Sequence, residues 1–219
     1  MRITRCIPVF ALLCLCAVSA WAAPTPADQA FATARQLFRT ENDAQAVVEL
    51  KKFIATYPAD PRVHEATFML GYSSQRQQKY DDALGYYAQV VKKAAGAEFT
   101  RLRADAHMQM GDCRLARQHY PEALQAYDNA LKLVTDDAEF VAQAQYWKAS
   151  CLYQLGRGKE AVPLYQKVAD TVPKHPLAPW SLYSVGMIKL ENGDAAGAIA
   201  ALEAVAAQYP EADVRGEAA

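Results

Sequence analysis

Small side chains recur along this chain at intervals that only a repeated unit explains. Ala46, Ala83, Ala123, Ala161 and Ala198 are separated by 37, 40, 38 and 37 residues. Twelve residues before each stands a second small residue: Ala34, Gly71, Gly111, Ala149 and Gly186. Four residues after each stands a large one: Leu50, Tyr87, Tyr127, Tyr165 and Leu202. Two antiparallel helices approach closely only where both carry small side chains, and a large residue one turn later fills the groove beside them. Pro58, Pro173 and Pro210 stand twelve residues after three of the anchors, where proline stops a helix. The pattern predicts an all-α solenoid of five helix–turn–helix units, at about 27–60, 62–97, 102–136, 140–175 and 177–210.

Local signals agree with this division. Thr25-Pro26-Ala27-Asp28 reads as a helix start, with Thr25 as cap, Pro26 in the first turn and Asp28 at the positive helix end. Pro121 suits the start of another helix, and Leu155-Gly156-Arg157-Gly158 reads as a turn. Pro163 falls early in a second helix and is expected to bend it. The last helix, 195–208, carries one charged residue, Glu203, among eight alanines. Terminal units of a solenoid normally show a polar outer face, so self-association or cover by another chain is one expectation for this end. A mildly apolar alanine surface that tolerates water is the other.

Residues 1–22 read as a secretory signal peptide. Arg2 and Arg5 precede a twelve-residue apolar stretch, Ile7 to Val18, and Ala20-Trp21-Ala22 is an A-x-A cleavage site. The rival reading is an uncleaved anchor, but the apolar run, interrupted by Pro8 and Ser19, is at the short limit for a bilayer. Leu13 and Leu15 before Cys14 and Cys16 argue against a lipidated cysteine. Residues 23–219 are then the repeat array, exported to a periplasm or secreted, with no membrane span left after cleavage. Cys113 and Cys151 remain in it, at equivalent positions of neighbouring units. Neighbouring helices pack about 8–10 Å apart, too far for a disulfide between those positions, so both read as small buried residues.

Composition excludes several classes of function. Hydrophobic residues are 52% of the chain and charged residues 21%, enough to bury a core. The net charge is −1, which disfavours nucleic acid. His64-Glu65 opens a zinc-protease-like pattern, but Phe68 stands where its second histidine belongs. His107, His119 and His175 have no carboxylate or cysteine at ligand spacing. No phosphate-binding glycine loop or nucleophile elbow is present. Neither catalysis nor a metal or cofactor is expected.

The small–small–large spacing, the Leu70-Gly71 and Ala83…Tyr87 pairings and the helix-stopping prolines resemble the tetratricopeptide repeat (TPR) over nearly all of 23–219. The period exceeds the usual 34 residues, and Lys148 and Gly158 depart from the pattern in the fourth unit. Together with the leader, the Tyr57-Pro58 and Tyr209-Pro210 endings resemble TPR modules of bacterial envelope proteins. These include the Tol–Pal-associated cell-division coordinator and the lipoprotein of the outer-membrane assembly machinery. The coiled coil of the first and the lipidated cysteine of the second are not visible here.

The resemblance implies a right-handed superhelix whose first helices line a concave groove. Carried residue by residue, its lining positions hold Phe31, Phe68, Tyr72, Met108, Tyr146, Trp147, Tyr153, Trp180, Tyr183 and Met187. Phe38 belongs to the same row, and polar neighbours include Arg35, Arg39, Gln75, Arg76, Asp112, Gln154 and Glu191. The Lys and Asn of carboxylate-clamp TPRs are missing: Met108 and Asp112 stand at the fifth and ninth positions of unit three, for example. Aromatics with a few polar groups suit an extended peptide or a partner helix, though such residues also pack neighbouring helices. The implied function is a non-catalytic envelope scaffold that binds a protein partner. The alternatives are an accessory that presents substrate to a separate enzyme, and a structural oligomerisation module.

Overall fold

The computed structural model describes residues 23–212, and the signal-peptide reading of 1–22 lies outside them. The described residues form five helix pairs: α1 (Pro26–Arg39) with α2 (Asp43–Thr56), and α3 (Val63–Arg76) with α4 (Tyr80–Lys93). These are followed by α5 (Thr100–Ala116) with α6 (Tyr120–Leu133), α7 (Ala138–Gln154) with α8 (Gly158–Thr171), and α9 (Leu177–Glu191) with α10 (Ala195–Gln208). The extra residues between the second and third units form a short 3₁₀ turn, Ala97–Phe99. Thr25 and Asp28 close a reciprocal capping box at the start of α1, with Pro26 in its first turn. Pro163 lies inside α8, which runs on to Thr171.

The repeated spacing reports real contacts. The five anchor alanines are all buried, and so are Ala34, Gly71, Gly111, Ala149 and Gly186 opposite them. Tyr87 and Tyr127 are fully buried against the glycine faces. A methyl group on Gly71 would lie 2.6 Å from Tyr87 Cε1, and one on Gly111 would lie 2.6 Å from Tyr127 Cζ. At these two positions glycine is required by close approach of the partner helix.

Each unit turns by the same device. The residue five before the anchor adopts a left-handed backbone: Glu41, Gln78, Gln118, Gly156 and Gly193, with φ of 56, 58, 60, 71 and 81°. The next residue's N–H then donates to a carbonyl five residues back, as from Lys79 to Ser74 O and from His119 to Arg114 O, at 2.9 and 2.8 Å. This is the Schellman closure, which satisfies carbonyls left open at a helix end. Three of the five turns adopt it without glycine.

Helices pack in chain order, and the first helices of neighbouring units also touch, α1 with α3, α3 with α5 and α7 with α9. The odd-numbered helices therefore form the inner layer of the curve. Arginines tie units together. Arg76 donates to Asp43 and to the Phe38 carbonyl, and its guanidinium lies 4.8 Å from the Phe38 ring centroid and 5.3 Å from that of Tyr72. Arg62 bridges Asp28 and Asp60 while covering the rings of Phe31 and Phe53. Arg101 joins Asp105 to Asp137 across units three and four. Each combines a charge pair with a cation–π contact or a second carboxylate, which holds one geometry better than an isolated surface pair.

Candidate peptide-binding groove

The inner helices do not expose all the residues that the repeat register assigns to the groove. Phe31 and Met108 are corrections to that assignment, because both are core. Phe31 is 4% exposed, with its ring centroid 5.2 Å from that of Phe53 and the Arg62 guanidinium over it. Met108 is 3% exposed and shares a cluster with Ala104, Tyr127 and Phe140. In each case a side chain from the following unit, Arg62 or Phe140, closes over the position.

The other eight are half-buried. Phe68 packs 5.5 Å from Tyr87, and Tyr72 meets Phe38 edge-on at 5.8 Å. Tyr146 makes edge contacts with Trp147 and Tyr165, at 5.0 and 5.4 Å. Trp147 leans on the core shared by units three and four, and Trp180 on the cluster of Ala169, Leu182 and Val205. Tyr153, Tyr183 and Met187 come together with Ser184 and Ile188 around an apolar cavity of about 280 Å³ between α7 and α9. Tyr153 also donates to Glu191 at 2.6 Å, and both line a cleft of about 690 Å³ together with Arg157, Lys159 and Asn192. The register did not single out Ser184 or Ile188; lining this cavity is a property of neighbouring helices, with no signal in the local sequence.

Two hydroxyls rise from the buried tyrosines towards the inner layer. Tyr87 donates to Gln75 and Tyr127 to Asp112 Oδ1, each at 2.8 Å. Asp112 has no ion-pair partner among the described residues. Burial pushes its carboxyl up to about 6, and the Tyr127 hydrogen bond offsets only part of that. The same burial pushes the thiols of Cys113 and Cys151 up to about 12. Both cysteines are fully buried and unpaired, and thiols so protonated are poor nucleophiles and poor metal ligands. No cluster of three metal-binding side chains occurs among the described residues, and no described helix is long and apolar enough to cross a membrane.

Comparison with known proteins agrees with this architecture. One family model of the tetratricopeptide repeat matches residues 31–98, 68–113 and 102–176, and a second such model matches 180–212. The chain belongs to the tetratricopeptide repeat family. A "TPR repeat-containing protein" of Treponema pallidum (strain Nichols) is 35% identical over 102 residues, which are 46% of this chain and 41% of that protein. The match thus spans less than half the length of this curated relative. Among solved structures, MamA (residues 41 to the end) of Desulfovibrio magneticus RS-1 superposes with a TM-score of 0.70 at 16% identity, over 87% of this chain and 99% of that one. YrrB, described as a TPR protein with an unusual peptide-binding site, gives 0.66 at 17% identity, over 84% and 87%. The apo form of RapI gives 0.76 at 12% identity, over 85% of this chain and 54% of that one. At these identities the likeness is one of fold.

Proposed function

We propose that this chain is a non-catalytic scaffold of the bacterial cell envelope that holds a partner peptide or helix in its concave groove. The observation that carries the reading is the apolar cavity between α7 and α9. Tyr153, Tyr183 and Met187 surround it while remaining half-exposed, and the helix pairs themselves close through the buried alanines, glycines and tyrosines instead. A concave, mostly apolar site with a few polar groups at its rim is suited to anchoring a side chain of a bound segment. The envelope setting rests on the leader at 1–22 and its cleavage site. A structure similar to this one carries a peptide-binding site by its own description, which is consistent with the reading.

The test is a crosslinking pull-down from cells, comparing the wild-type chain with Tyr183→Ala/Met187→Ala. Both side chains are half-exposed, so the variant should keep its helical circular dichroism. The expected result is that a crosslinked partner is reduced at least about tenfold, as for loss of a binding hot spot. Equal recovery by a folded variant would reject the groove. A second reading, self-association through the last unit, is favoured by Ile199 on α10 and Leu190 on α9, which are 57% and 52% exposed. It requires a concentration-dependent mass in light scattering that Ile199→Glu abolishes; a constant monomer mass at micromolar concentration removes it.

A further inference from the structure

The groove is not uniform in charge. In the first unit its inner positions carry Arg35 and Arg39, both exposed. Arg76 in the second is tied to Asp43. From the third unit onward the inner positions carry Asp112 and Glu191 with the aromatic rows, and no lysine or arginine. Around Asp112 the nearby cations are engaged elsewhere, Lys148 with Asp128, Arg117 with Asp81 and Arg114 with the Glu122 carbonyl, whereas Arg157 and Lys159 line the cleft beside Glu191.

Asp112 is the unusual member. Among the described residues only one of its oxygens, Oδ1, has a hydrogen-bond partner, and that partner is the neutral hydroxyl of Tyr127. The residue is half-buried and not sealed, and it stands on α5 among the polar neighbours of the lining row. An asparagine would accept the same bond from Tyr127 with no charge to desolvate, so the fold itself has no need of the carboxylate. A half-buried carboxylate with one neutral donor is poorly compensated, and a cation completes it far better than a further neutral donor does.

We propose that the groove over units three to five selects a peptide segment in which a lysine or arginine pairs with Asp112 while an apolar side chain fills the Tyr153–Tyr183–Met187 cavity. The inference rests on the groove reading above. Asp112 lies on α5 and the cavity lies between α7 and α9. One and a half helix spacings separate them, about 15 Å, which an extended chain crosses in four or five residues. The segment therefore carries its basic residue four or five positions from its apolar anchor.

The experiment is selection of a phage-displayed library of random peptides, about twelve residues long, on the chain from Ala23 to Ala219 at pH 7.5, that length covering the span with margin at both ends. Selected peptides are then remade and titrated by fluorescence anisotropy against wild type, Asp112→Asn and Tyr183→Ala/Met187→Ala. The proposal expects a shared lysine or arginine at the stated spacing from an apolar residue, and affinity at least about tenfold lower for Asp112→Asn. It also expects wild-type affinity to fall between pH 7.5 and pH 5, as the carboxyl takes up its proton, and that of Asp112→Asn to change less. The titratable groups around Asp112 are Tyr87 on α4, Cys113 on α5, Tyr127 on α6 and Cys151 on α7, and burial keeps all four protonated through that range. Peptides that lose binding in the Tyr183/Met187 variant but lack a basic residue, or bind Asp112→Asn equally, overturn the proposal and leave the groove standing. Failure to select any peptide sensitive to the Tyr183/Met187 change overturns both.

Discussion

Gly111→Ala is expected to lower the melting temperature of the chain, and Gly85→Ala to raise it. Both glycines lie inside helices, α5 and α4, so alanine gains the same helix propensity at each, up to about 1 kcal/mol. The difference is tertiary. Around Gly85 nothing approaches a Cβ within 4 Å, so the gain is kept. At Gly111 the new methyl meets the Tyr127 ring at its Cε1, Cζ and Cδ1 atoms. That ring is fully buried and tethered through its hydroxyl to Asp112, so it has no easy path aside. Overpacking of this kind costs about 1–3 kcal/mol, with more in rigid surroundings. The net expectation for Gly111→Ala is a loss of about 1–2 kcal/mol, or several degrees in a thermal melt followed by circular dichroism. Gly71→Ala, which meets Tyr87, should behave like Gly111→Ala. Equal shifts for Gly85→Ala and Gly111→Ala would mean that the small–large packing does not limit how closely the helices approach.

The second large effect concerns Asp112 and has the opposite sign from the usual loss of a buried polar group. Its carboxyl is raised in the folded chain, from 3.8 to about 6. A raised acid favours the folded state while protonated, so its contribution is fully present below about pH 4. That contribution is lost as pH rises through about 6, where the folded chain must ionise a buried carboxyl. At pH 7.5 the charged carboxylate therefore opposes folding, by at most about 2–3 kcal/mol at 1.36 kcal/mol per unit. Asp112→Asn removes the charge and keeps an oxygen for the Tyr127 hydroxyl. It should stabilise the chain at pH 7.5 and leave it nearly unchanged at pH 3.5, as read by urea unfolding at both values. A variant less stable than wild type at pH 7.5 would mean that the carboxylate has a compensating partner in the folded chain. A group that opposes folding while facing a groove is where binding and stability are expected to conflict.

How much was legible differs from residue to residue. Ala83, Gly71 and Tyr87 announced their packing because the helix period converts fixed sequence offsets into fixed positions on a face. The prolines at 58, 173 and 210 likewise stand just beyond the ends of α2, α8 and α10. The turn residues were less legible. Gly156 and Gly193 suit a left-handed backbone, but Glu41, Gln78 and Gln118 adopt it too, and nothing in those side chains signals it. There the Schellman bonds and the packing of the flanking helices impose the conformation. Groove positions were legible as a register and not as a surface. Phe31 and Phe68 occupy the same place in successive units, yet one is sealed under Arg62 and the other remains half-exposed.

The order of amino acids by itself determined that this chain is a row of five helix pairs and where each pair closes; the aromatic row on the first helices came from the resemblance to the repeat family. The pairs and their closures follow from spacings within about 16 residues, which the helix geometry translates directly into contact. Only the tertiary structure decided which aromatics face outward, that Tyr153, Tyr183 and Met187 enclose a cavity, and that Asp112 is a half-buried carboxylate with no ion-pair partner among the described residues. The first two depend on side chains of the neighbouring unit, such as Arg62 over Phe31 and Tyr183 beside Tyr153, and the third on Tyr127 of the partner helix. The arrival of the neighbouring unit's side chains is set by how one helix pair stacks on the next, a relation that no single unit's sequence contains.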